Sequence, residues 1–249
     1  MKRFLSVVLA EVVLFGLSYS PSWGDMATQP ASPPIAVSSN PPPKPVYLTG
    51  HEKVWSDFPK SPALGSQVDQ LDLQTILSVQ DSRTIDQKNE AIRDQHYLIT
   101  LMTDVIDSSF KIKYPHTFMV LEQANKDSSF ITSMLKNENA RLRPYEQHPD
   151  LVHPLFSTDG YSYPSGHASG MDLQAHILAT LFHTNGQDSL LFKRAREIAD
   201  SRVVAGVHYP SDVKEGQALG DLLFTELESN PKFKHALHAA AKADHIPTI

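Results

Sequence analysis

Three short clusters in the second half of the chain hold residue types that do chemistry together. The first is Lys136 and Arg143-Pro144. If one helix continued through both cations, seven residues would be about two turns, and the two would share a face. The second is Tyr163-Pro164-Ser165-Gly166-His167. It reads as a loop entering a helix, with Ser165 as N-cap and the first helical N–H groups open to an anion. The third is Ser201-Arg202, His208 and Asp212. Asp212, four residues beyond His208, can accept from one ring nitrogen and leave the other as a nucleophile or ligand.

Taken singly, each cluster has a plainer reading. Cations near a helix C-terminus are ordinary dipole partners. Ser-Gly-His can be a capped helix with a surface histidine, and His208–Asp212 can be a staple between two helices. Together, within residues 136–212, they supply one Lys, two Arg, a helix N-terminus, two His and an Asp. That inventory suits phosphoryl transfer. Cations and N–H donors hold the equatorial oxygens, a nucleophile attacks in line, and an acid protonates the leaving oxygen.

The elements that must position these groups read as helices. Apolar residues recur at spacings of three to four from about residue 67, through Val68, Leu71, Leu73, Ile76 and Leu77. The pattern resumes over Ile85–Ile99, His116–Leu135, Met171–Leu181, Leu190–Val207, Val213–Leu227 and, more weakly, Lys232–Ala243. Strand-like alternation is nearly absent. An all-α domain of six to eight helices over 67–249 is expected. Pro144–Pro164 is its longest irregular segment, a length often tied to function.

Before that domain lie two other segments. Lys2 and Arg3, the apolar run Phe4–Leu17 and the small residues Ser18–Gly24 make the three-part pattern of a signal peptide over 1–24, cut between Gly24 and Asp25. An uncleaved anchor is the alternative reading, though the run is short and contains Glu11. Residues 25–66 form a Pro-rich lead, densest in 25–50, where seven prolines stand among Ala and Ser. It reads as a tether. Periplasmic or secreted localisation follows from this reading.

Composition bounds the rest. The 249 residues carry a net charge of -6, which argues against a nucleic-acid partner. The expected mature chain has no apolar run of membrane-spanning length. There is no cysteine, so thiol nucleophiles and Cys-based zinc sites are excluded. His176, His183, His235, His238 and His245 read as helix-surface residues, and no metal site is expected.

The three clusters in order resemble the signature of the type 2 phosphatidic-acid-phosphatase (PAP2) superfamily. It includes bacterial class A non-specific acid phosphatases, membrane lipid phosphatases and vanadium haloperoxidases. The strings Tyr-Pro-Ser-Gly-His-Ala-Ser and Ser-Arg-Val-Val-Ala-Gly-Val-His look most like the class A enzymes. The resemblance implies a helical bundle of the PAP2/haloperoxidase type and a secreted acid phosphatase acting on small phosphate monoesters, nucleotides among them. No cofactor is implied. His208 would become a phosphohistidine, oriented by Asp212, and His167 would protonate the leaving group. Lys136, Arg143, Ser165, Gly166 and Arg202 would bind phosphate. A homo-oligomer is suggested by the same resemblance. Class A relatives commonly carry a cysteine pair that this chain lacks. The alternatives are a vanadate-dependent haloperoxidase, a soluble lipid-phosphate or pyrophosphate phosphatase, and a phosphate-binding module without turnover.

Overall fold

The computed structural model describes residues 44–49, 55–96, 98–184 and 189–247, and all of them lie in one compact unit, 35–249. The expected signal peptide and the first part of the Pro-rich lead lie outside the described residues. Among the described residues there are helices and no strands. The all-α expectation therefore holds.

Among the described residues, seven helices have nine residues or more. They are α1 (Gln67–Ser82), α2 (Ile85–Arg93), α5 (Pro115–Asn139), α7 (Gly166–Leu181), α8 (Leu190–Val204), α9 (Pro210–Ser229) and α10 (Pro231–Ala243). Single turns fill the gaps: α3 (Thr100–Thr103), α4 (Phe110–Lys113) and α6 (Pro144–Gln147). Local chemistry starts most of the long ones. Ser66, Ser165 and Ser189 accept N–H groups of the first turns of α1, α7 and α8. Thr84 and Gln87 form a reciprocal capping box on α2. Proline occupies the first position of α5, α9 and α10, where its missing N–H costs nothing.

α7 is the central helix. Eleven of its sixteen residues are buried, so it is covered nearly all round. It packs on α9, α8 and α5. The α7–α9 crossing is close enough to require glycine. A Cβ on Gly216 would stand 2.6 Å from the Ser165 carbonyl oxygen, and one on Gly220 would stand 2.8 Å from that of Ser169. This contact brings the start of α7 onto the first turn of α9, where the Ser165 N–H donates to the Asp212 carbonyl at 2.9 Å.

Several expectations move. The helical domain does not begin at residue 67, because Tyr47, Leu48, Trp55 and Phe58 are buried in the main core. Their segment is tied down by a buried carboxylate. Asp127 of α5 accepts the N–H groups of Val46, Tyr47 and Leu48 at 2.9, 2.6 and 3.1 Å. The Ile85–Ile99 pattern yields a helix only as far as Arg93. Lys136 and Arg143 do not share a helix. α5 stops at Asn139, and Ala140 turns the chain in a left-handed conformation at φ 49°. Pro144–Pro164 is irregular except for the single turn α6.

Candidate active site

The ends of four helices and two connecting segments meet at His208. α8 ends at Val204, and Gly206 then reverses the chain at φ 72°. His208 follows, 3% exposed, two residues before α9. Its ring is gripped from two sides. Nδ1 lies 3.4 Å from Asp212 Oδ2 and 3.4 Å from Ser162 Oγ. Nε2 lies 3.2 Å from Arg143 Nη1. An arginine donates and never accepts, so Nε2 is the acceptor and the ring proton belongs on Nδ1, facing Asp212. The lone pair on Nε2 therefore points toward the cations.

Arg143 comes from the segment after α5 and is 3% exposed. It donates to the carbonyls of Val207, Gly160 and Asp159 at 2.8, 2.9 and 2.8 Å. Those bonds aim the guanidinium. Lys136, on the last turn of α5, is half-buried and donates to the carbonyls of Tyr161 and Ser162 at 2.5 and 2.9 Å. Arg202, on the last turn of α8, is 1% exposed, donates to the Asp94 carbonyl at 3.1 Å and lies over the Phe156 ring.

Ser165 caps α7 as expected, its Oγ accepting from Ala168 at 3.4 Å. Gly166 opens the helix, and a Cβ there would meet nothing closer than 3.6 Å. Its lack of a side chain is thus not demanded by the fold, and it leaves room for a group approaching the helix N-terminus. His167 occupies the first turn. Tyr163-Pro164 is a cis peptide.

The electrostatics show that the clusters converge. His208 is held well below the usual histidine range by burial, then by Arg143, Lys136, Arg202 and His167. His167 is lowered in the same way by burial and Arg202, with Lys136 and Arg143 adding, against a hydrogen bond to the Gln95 backbone. Burial and Arg143 pull Lys136 far down, and they bring Arg202 to about 10. Three mutually repelling cations around a helix N-terminus can hold an anion. Both histidines are thereby biased toward the neutral form.

The structure thus brings together every residue expected from sequence: Lys136, Arg143, Ser165, Gly166, His167, Arg202, His208 and Asp212. It adds two that were missed. Ser162 places its hydroxyl on Asp212 Oδ2. Arg141 Nη1 donates to the other carboxylate oxygen, Oδ1, at 2.7 Å. The alternation Arg141-Leu142-Arg143 is visible in the sequence, but nothing local says that the first arginine is buried. The Asp212 carboxylate also accepts the Tyr209 N–H at 2.8 Å, which ties it to the start of α9.

Elsewhere, Asp172 and His176 of α7 and Asp221 of α9 lie together. His176 Nε2 is within hydrogen-bond distance of Asp221 Oδ1 at 2.7 Å and stands 3.6 Å from Asp172, on the α7–α9 seam. His176, expected at the surface, is instead stacked on Phe224 with ring centroids 4.7 Å apart.

Residues 124–227, from mid-α5 to near the end of α9, match the PAP2 superfamily model. A non-specific acid phosphatase of Salmonella typhi is 32% identical over 130 residues, covering 49% of this chain and 50% of the relative. That of Salmonella typhimurium is 37% identical over 76 residues, 30% of each chain. The chain thus spans half or less of the length of these curated relatives. A bacterial vanadium-dependent iodoperoxidase has a similar fold, with a TM-score of 0.54 at 18% identity, over 74% of this chain and 60% of that one. Matched segment, shared helical fold and the order of the three clusters agree, and the chain carries a PAP2 superfamily domain over residues 124–227.

Proposed function

We propose that the protein is an acid phosphatase that hydrolyses small phosphate monoesters through a phosphohistidine on His208, without a metal. One observation carries the reading. His208 Nε2 faces the guanidinium of Arg143 while Nδ1 faces Asp212, so the lone pair is aimed into a ring of cations. Acid phosphatase relatives at 32% and 37% identity support the same activity.

In this mechanism the phosphate oxygens displace Arg143 from Nε2 and take the donors of Lys136, Arg143 and Arg202. The Ser165 hydroxyl and the Gly166 N–H take the remaining contacts. The Nε2 lone pair forms an N–P bond as the P–O bond to the leaving group breaks. The departing oxygen takes its proton from His167. Asp212 stabilises the positive charge that grows on the ring. Water then attacks phosphorus, the N–P bond breaks back to Nε2, and His167 receives the proton from water. Alcohol and inorganic phosphate leave. Three cationic side chains do what metal ions do elsewhere in phosphoryl transfer.

The depressed titration of both histidines supports a pH behaviour for this mechanism. A neutral His208 is the nucleophilic form and persists into acid. His167 must be protonated to act as acid, and a bound phosphate supplies the negative charge that restores its proton. Activity on the acid side of neutrality follows. Export to the periplasm or medium belongs to the same proposal, on the pattern in residues 1–24.

The test is hydrolysis of an aryl phosphate by the full chain from acid to neutral pH in excess EDTA, beside His208→Ala. The expected result is turnover that survives EDTA and falls at least about 10³-fold in the variant. An acid-labile phosphoryl adduct should be trapped in the wild type alone. Turnover unchanged in His208→Ala, or abolished by EDTA and restored by a divalent metal, would overturn the mechanism.

A further inference from the structure

The chain between α5 and α6 is extended at Arg143, with φ -72° and ψ 156°. Arg141 and Arg143, two residues apart, reach the two ends of one His–Asp pair. Arg143 meets His208 Nε2, and Arg141 meets Asp212 Oδ1. The Arg141 end has no counterpart among the groups that would touch phosphate.

Arg141 is itself held on every side. Nη2 donates to Asp69 Oδ1 and to Asp72 Oδ2, both at 3.0 Å. Nη1 also donates to Ser211 Oγ at 2.8 Å, and the guanidinium lies 3.9 Å from the centre of the Tyr209 ring. Asp72 accepts the Ser211 N–H at 3.0 Å and its hydroxyl as well. Asp69, Asp72 and Asp212 are all buried. Burial alone would lower Arg141, but Asp212, Asp72 and Asp69 more than reverse that and hold it above its ordinary value.

The arrangement has an electrostatic sense. One guanidinium set against three carboxylates leaves a buried, net-negative cluster on the Nδ1 side of His208. Lys136, Arg143 and Arg202 make the Nε2 side positive. The imidazole therefore sits across a potential difference that favours the proton on Nδ1 and the lone pair on Nε2. If Arg141 paired with Asp212 alone, it would cancel the carboxylate that must stabilise the ring during attack. Asp69 and Asp72 draw on the same guanidinium and leave Asp212 its negative charge. Both come from α1, outside the segment that matches the PAP2 model.

We infer that Arg141, shared with Asp69 and Asp72 of α1, is a positioning residue that fixes Asp212 and thereby the tautomer of His208. The inference rests on His208 being the nucleophile. The groups facing the ring are Arg143, Lys136, Arg202 and His167 on the pocket side, with Asp212 and Ser162 on the other.

The experiment is ¹⁵N NMR of the full chain labelled at histidine, with His208 assigned by its loss in His208→Gln. Three variants are compared: Arg141→Met, Arg141→Lys and the double variant Asp69→Asn, Asp72→Asn. Removing the cation should raise the His208 titration, and removing the two carboxylates should lower it and reduce the Nδ1–H form. Arg141→Lys keeps the charge but loses the fork. Its titration should stay close to wild type, while kcat on an aryl phosphate falls at least about tenfold with KM changed less than about threefold. A residue that only staples α1 to the bundle would lower thermal stability in all three and leave titration and tautomer at wild type, and that result would overturn the proposal. If Arg141→Met does not fold, the other two still decide: the double variant must lower the His208 titration, and Arg141→Lys must leave it near wild type while kcat falls. The NMR readout needs no turnover, so a wild type inactive on aryl phosphate sinks the phosphatase reading and leaves the placement of the ring proton independently measured.

Discussion

Arg143 Nη1 stands 3.2 Å from His208 Nε2, where a donor meets the lone pair that would attack phosphorus. An anion that reaches Nε2 must break this contact. Burial first, and then the charge of Arg143, hold the ring's titration well below the usual histidine range.

Anion binding should therefore take up protons. His208 and His167 are both lowered by burial and by neighbouring cations. A bound dianion offsets those cations and raises both groups. Affinity then increases as pH falls through the window between the free and the bound titrations, and it levels off below the free ones. Sulfate suits the measurement because it carries no titrating proton between about pH 4 and 8. Calorimetry in buffers of different ionisation enthalpy should show net proton uptake. Proton release, or none, would mean that neither histidine faces the anion.

Gly216→Ala tests the seam that brings α7 onto α9. The added methyl would stand 2.6 Å from the Ser165 carbonyl oxygen and 2.8 Å from Ala168 Cβ. Backbone has to shift at the N-cap that contacts Asp212. A loss of about 1–3 kcal/mol in chemical denaturation is expected, with sulfate affinity reduced at the same time. Gly166→Ala, whose methyl would meet nothing closer than 3.6 Å, should fold as the wild type does and lose anion affinity only.

Asp127 is a structural carboxylate on α5 whose hydrogen bonds reach none of the pocket residues. It accepts three consecutive N–H groups from residues 46–48 and the Gln123 side chain at 2.9 Å. Asp127→Asn turns one acceptor oxygen into a donor facing other donors. About 2–3 kcal/mol of stability should be lost in urea unfolding, with the pH dependence of phosphatase turnover unaltered.

Trp55 is 1% exposed in the main core, although it precedes the first long helix. Trp55→Ala should cost about 3–5 kcal/mol. A loss of under about 1 kcal/mol in unfolding free energy would return this segment to the tether that composition suggested.

How much of this could be read from the sequence depended on distance along the chain. The Ser165 cap, the proline starts of α5, α9 and α10, and the apolar faces of α7, α8 and α9 follow from neighbours within one or two turns, so periodicity and cap chemistry suffice. The paired use of Lys136 and Arg143 could be inferred from residue type. Their common helix could not, because Ala140 takes a left-handed turn that no residue preference announces. Tyr47, Leu48, Trp55 and Phe58 were hidden by a proline-rich context without helical period, and the first two are held by Asp127, some eighty residues away.

The sequence by itself determined the inventory of the pocket, because cations, a helix N-terminus, two histidines and an aspartate are properties of residue type and local spacing. Tertiary structure decided their electrostatic setting. Arg141 reaches Asp212 across 71 positions and Asp69 across 72, and a buried ion pair over that span leaves no pattern in the chain. Which nitrogen of His208 carries the proton follows from that packing, since only the fold puts carboxylates on one side of the ring and cations on the other.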